Sequence, residues 1–178
     1  MEKSLTISKL DAAKRQLETA IRLYFHHGEP VSIHTLVSAS YNIIRDINTK
    51  RGGEKMVVKE LLFDQVRPER HVEFRKLLQR AENFFKHADR DHDGSLEFNP
   101  DESELLILDA CTKYWELTGE HPPLFQIFRG WFMASNPELF NMPEGIKLHI
   151  AQVQKELTKE GRLGYFNRSL PMVMKGGV

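Results

Sequence analysis

Apolar residues recur at spacings of three and four along most of the chain, and no tract alternates apolar with polar residues as a half-buried strand does. That periodicity confines the fold to packed α-helices, because an apolar stripe on a helix has to be covered by another element. Leu10, Ala13, Leu17, Ala20, Ile21, Tyr24 and Phe25 form the first stripe. Ser8, with Asp11 three residues on, offers a capping box at its start, so two otherwise unpaired backbone N–H groups find side-chain acceptors. Gly28, Glu29 and Pro30 stop it, and Ser32 is placed to cap a second, antiparallel helix that carries Leu36, Val37, Ser40, Ile43, Ile44 and Ile47 on one face.

Gly52 and Gly53 interrupt the pattern, since glycine loses the most backbone entropy in a helix, and a short helical segment is expected over residues 56–63. Pro68 suits a first-turn position. Behind it Phe74, Leu77, Leu78, Ala81, Phe84, Phe85 and Ala88 make the clearest stripe in the chain, which predicts one continuous helix at the centre of the core. A polar loop over 89–98 follows, then Asn99, Pro100, Asp101 and Glu102 as cap, first-turn proline and two acids favoured by the helix dipole. Gly119 closes that helix. Leu124, Ile127, Phe128, Trp131 and Phe132 predict an aromatic-rich helix, Asn136-Pro137 a short turn, and Ile146, Ile150, Val153 and Leu157 a last helix ended by Gly161. The architecture that follows is all-α: a single-domain helical bundle of about six or seven helices over residues 1–161, with 162–178 a loosely ordered C-terminal tail.

Charge narrows the function. Among 178 residues, 25 Lys and Arg balance 25 Asp and Glu, so no overall excess draws in nucleic acid or an anionic membrane. The balance is uneven: residues 45–90 hold 12 basic and 8 acidic side chains, and residues 91–120 hold 9 acidic and one basic. Cys111, the single cysteine, excludes an intrachain disulfide and a multi-cysteine zinc site, and its apolar surroundings predict a buried structural thiol. The first residues lack an apolar signal core, and no stretch approaches the roughly 18 apolar residues of a membrane span. A soluble cytoplasmic protein with no membrane association is expected.

The loop Asp89-Arg90-Asp91-His92-Asp93-Gly94-Ser95-Leu96-Glu97-Phe98 resembles the calcium loop of an EF-hand, with oxygens at alternating positions and glycine at the sharp turn. The resemblance implies Asp89, Asp91 and Asp93 as calcium ligands. Pro100 stands at the twelfth position, where the family places a bidentate Glu, and no second loop is present to pair with, so only weak binding is implied. His87 and His92 with the three aspartates could alternatively gather another divalent ion, whereas a solvated loop between two helices accounts for the same residues without any metal.

Arg80 and His87 have six residues between them, which on one helix places them two turns and roughly 10 Å apart on nearly the same face. An imidazole that moves protons and a guanidinium that holds phosphate make metal-free attack by a ribose 2′-hydroxyl conceivable chemistry. In this spacing, and in its helices before residue 89, the chain resembles the HEPN superfamily of bacterial helical domains. The resemblance implies an endoribonuclease site at Arg80 and His87, completed by homodimerisation and acting on RNA; Asn83 reads equally as an exposed polar residue on the same surface or as a buried amide orienting His87. The family usually places Asn, Asp or His directly after the arginine, and here that residue is Ala81. Equally, His87 can serve as a helix-end histidine and Arg80 as a solvated partner of Glu73 or Glu82.

His26, His27, His34 and His71 show none of the paired spacing with a carboxylate that zinc enzymes use. Phe125, Phe128, Trp131, Phe132 and Phe140 suit core packing or a partner surface. Lys50, Arg51, Lys55, Lys59, Arg67 and Arg70 alternate with Glu54, Glu60, Asp64 and Glu69, as on a solvated face, although phosphate contact is open to them. The sequence favours a non-catalytic binding or interaction module, with an unknown protein or small molecule as partner and no cofactor. The HEPN-like ribonuclease is the alternative and weak calcium binding over 89–100 the third reading.

Overall fold

A computed structural model describes residues 4–89 and 92–175, and among them every regular element is helical. In order these are α1 (Lys9–Phe25), α2 (Pro30–Lys50), a π-turn (Val57–Leu61) that runs into α3 (Leu62–Asp64), and a 3-10 turn (Pro68–Arg70) that leads into α4 (His71–Leu78). Next come α5 (Arg80–Lys86), α6 (Glu102–Thr118), α7 (Pro123–Ser135), a second 3-10 turn (Pro137–Leu139) and α8 (Glu144–Lys175). No described helix is long and apolar enough to cross a membrane.

Local chemistry sets most of these ends. Ser8 and Asp11 form the capping box expected of α1. Helix α2 begins earlier than Ser32, because Glu29 caps it through the Ser32 N–H at 2.8 Å and Pro30 fills the first turn. The paired glycines after α2 do different work. Gly52 takes the left-handed φ of 69° that ends the helix, while Gly53 passes so close to Asn48 that a Cβ there would overlap its side-chain amide.

The core is built mainly from α1, α2, α6 and α7, with a contribution from α8, and Leu17, Phe25, Tyr41, Ile107, Phe125 and Phe128 are essentially sealed from solvent. The stripe from Phe74 to Ala88 is not at its centre. The expected single helix divides at Gln79 (φ −106°, ψ 1°), which is the main reason that eight α-helices rather than six or seven stand among the described residues. Helix α4 buries no residue and α5 buries only Ala81 and Glu82. The periodicity was that of a helix, but the apolar area it would cover is already enclosed by longer elements.

Residues 162–175, expected to be loose, form the second limb of α8. Gly161 (φ 67°, ψ −179°) interrupts the helix as anticipated, yet the chain turns there and resumes its helical course. Tyr165 and Phe166 then enter the core, and Phe166 stacks on Phe25 with ring centroids 4.9 Å apart. Arg162 lies 4.5 Å from the Tyr24 ring centroid and donates to His27 Nδ1 at 2.9 Å, which fixes the bend against the end of α1. Cys111 is buried as expected, and burial pushes its thiol well above the ordinary range.

Candidate functional site

The segment after Gly53 is shaped by distant side chains. A helical turn begins with unpaired N–H groups, and Met56 supplies no side-chain cap for the π-turn. The donors are met from elsewhere: Val58 N–H donates to Asp109 Oδ2 at 2.9 Å, Lys59 N–H to Tyr41 Oη at 3.1 Å, and Met56 N–H to Glu60 Oε2 at 2.7 Å. Tyr41 in turn donates to Asp109 Oδ2 at 2.7 Å. Burial, and then the Asp109 carboxylate, hold the Tyr41 phenol far above its usual range, so it stays a hydroxyl.

Lys59 folds inward from the same turn to Glu82 of α5 at 2.7 Å, with side-chain exposures of 4% and 9%. Asn42 bridges the pair, its amide nitrogen donating to Glu82 at 2.6 Å and its oxygen accepting from Lys59 at 3.3 Å, and Lys86 adds a contact at 2.9 Å. Burial pushes Glu82 upward, but the bonds from Lys59 and Lys86 outweigh it and keep the carboxyl below the usual range. A buried ion pair so fully bonded contributes less to net stability than to fixing one arrangement, here of α2, the π-turn and α5.

Over this lattice opens a cleft of 510 Å³ between α2, residues 55–64 and α4. Arg45, Lys55, Lys59 and Arg75 bring four cationic groups to its wall against the carboxylates of Glu60 and Asp64. Lys55 pairs with Asp64 at 2.6 Å, and Arg45 directs Nε and Nη2 onto Asp46. Phe63 and Leu78 supply apolar surface, and His71 and Gln79 further polar groups. The guanidinium of Arg75 sits 5.5 Å from the Phe63 ring centroid, and His71 Nε2 donates to the Val66 carbonyl at 2.8 Å.

The candidate nuclease residues lie elsewhere. Arg80 opens α5 and donates through Nη2 to the Glu97 carbonyl at 2.9 Å, beside an open depression lined by Phe98, Asn99 and Glu102. His87 is not in the helix: it follows α5 with extended backbone (φ −135°, ψ 137°), and its N–H donates to the Asn83 carbonyl. Arg80, Asn83 and His87 are all exposed. The break at Gln79 and the early end at Lys86 thus replace the two-turn helix that would give Arg80 and His87 a shared face.

Of the candidate metal ligands, Asp91 lies outside the described residues. Asp89 and Asp93 are exposed, and Asp93 lies 2.9 Å from His92. Among the described residues no group of three or more His, Cys, Asp or Glu is arranged to hold a metal ion.

Two side chains gained importance that the sequence did not signal. His34, 3% exposed, shares a 3.1 Å hydrogen bond with Ser103 and meets Phe85 and Phe98 edge to face, so it pins α5 and the loop before α6 onto α2. Burial first, and then the positive charge of Lys59, hold its imidazole down to about 4. Arg75, on a helix with no buried residue, becomes a cleft residue only because α4 folds back over Phe63. No family model, no curated protein and no solved structure matches the chain.

Proposed function

We propose that the chain is a non-catalytic binding module that takes a small-molecule ligand in the cleft between α2, residues 55–64 and α4. The observation that carries this reading is the combination of a 510 Å³ opening with a wall immobilised from behind by the Tyr41, Asp109, Lys59 and Glu82 bonds. Ligand sites combine apolar surface with a few fixed polar groups, and a site whose backing is already rigid loses less entropy when it is filled. Phe63 and Leu78 supply the first, and His71, Arg75 and Gln79 the second.

The test is a backbone amide NMR titration of the full chain with a mixture of small polar fragments. Saturable shifts gathered at residues 55–64 and 71–79 are expected, together with no cleavage of single-stranded RNA. RNA cleavage by the wild type that disappears in both Arg80→Ala and His87→Ala would overturn the reading in favour of the ribonuclease alternative.

A further inference from the structure

Resting on the cleft reading, we infer that the ligand is a small organic oxyanion, a carboxylate or phosphate, and that Arg75 is the residue that takes the charged group. Three of the four cations of the cleft wall are already engaged. Lys55 is held by Asp64, Lys59 by Glu82, and two of the nitrogens of Arg45 by Asp46. Arg75 is the cation of this wall that has no carboxylate within ion-pair distance among the described residues. Its guanidinium is instead held near the Phe63 ring.

Arg75 is exposed, so its guanidinium is open to a ligand. A guanidinium beside an aromatic face keeps its N–H donors in its own plane, at the edge, where a two-oxygen acceptor meets them as a fork. Phe63, beside which the guanidinium lies, is itself braced edge to face by His71 and Phe74, at centroid distances of 5.5 and 5.1 Å. An extended lysine at this position would give a mobile point charge instead.

The neighbours define the rest of the ligand. His71 commits Nε2–H to the Val66 carbonyl, so Nδ1 is the ring nitrogen left for another partner, and Gln79 brings both a donor and an acceptor. A hydroxyl or amide beside the oxyanion fits that pair, and Leu78 faces a short apolar body. The size of the opening suits a metabolite-scale molecule rather than a polymer.

The experiment uses the full chain at low ionic strength, with inorganic phosphate and acetate as separate probes, sodium chloride as the ionic-strength control, and backbone amide shifts as the readout. At least one probe is expected to saturate amides around residues 63 and 71–79, with Kd on the order of 1 mM, a strength such small probes reach. Whichever saturates tells the phosphate source from the carboxylate source. Arg75→Gln is expected to weaken it about 10- to 100-fold and Arg75→Lys by less, whereas Arg80→Gln, outside the cleft, leaves it unchanged.

Because α4 buries no side chain, both Arg75 variants should retain the fold, which the unchanged remainder of the spectrum checks. Absence of saturation with both probes, or equal saturation in Arg75→Gln, overturns the inference. If neutral fragments shift the same amides while both anions fail, the oxyanion assignment falls and the cleft reading stands; if they fail too, both fall.

Discussion

Acidifying the protein from pH 7.5 to 4 sets His34 against the fold. In the unfolded chain an imidazole takes its proton near 6.5, whereas His34 in the folded state resists it down to about 4. Its surroundings explain the gap: Ser103 on α6, Phe85 on α5 and Phe98 in the preceding loop enclose it, Lys59 and Lys86 add positive charge, and Glu82 only partly offsets them. A group depressed on folding contributes stability that is complete above the unfolded value and is lost as pH falls toward the folded one, because the unfolded chain binds the proton first. At about 1.36 kcal/mol for each tenfold change in proton concentration, the loss between 6.5 and 4 amounts to roughly 3 kcal/mol. Urea unfolding at a series of pH values measures it. His34→Asn retains a polar group near Ser103 but cannot titrate, so its curve should be flatter across this window by about that amount, whatever stability the variant loses overall. Glu104, raised by burial, protonates earlier in the folded state and works in the opposite direction in both proteins, so the difference between the curves isolates His34. Parallel curves, or an NMR titration in which the His34 ring protonates near 6.5, would refute the reasoning.

Other outcomes follow from the same geometry. Glu82→Ala strands the buried ammonium of Lys59 and should cost about 3–5 kcal/mol in urea unfolding, whereas replacing both residues with Met should cost much less. The stability that Glu82 contributes is present above the unfolded carboxyl value of 4.5 and is lost below it, so acid should narrow the difference between Glu82→Ala and the wild type. Phe166→Ala should cost about 3–5 kcal/mol by the same assay, since the second limb of α8 is part of the core; a loss below 1 kcal/mol would mean that it is not docked. Gly52→Ala should cost about 1 kcal/mol for backbone reasons alone, because a Cβ there meets no atom within 4 Å while φ is 69°. Tm is expected to be equal in millimolar calcium and in excess chelator, and a rise in calcium would establish binding to the native state.

What the sequence determined by itself is the set of features that depend on residues close together in the chain. The Ser8–Asp11 box, the stop at Gly52, the end of α6 at Gly119 and the buried stripe Leu124, Ile127, Phe128, Trp131 and Phe132 all rest on capping, left-handed φ or helical periodicity, which operate over a few residues. Elsewhere, competition between segments for the core decided the outcome. The 74–88 stripe and the spacing of Tyr165, Phe166, Leu170 and Val173 both suit a helix face, but burial goes to whichever segment reaches the shared core, and that was the second limb of α8 rather than α4 and α5. The same reason hid the cleft. Asp109 and Tyr41 cap a turn 51 and 18 residues away, Glu82 neutralises a lysine 23 residues away, and Arg75 joins the cleft wall through its place beside Phe63, twelve positions earlier in the chain. Hydrogen bonding and burial are satisfied in three dimensions, so only the tertiary structure decided which of the cations that line the cleft are held by carboxylates and which is not, among the described residues.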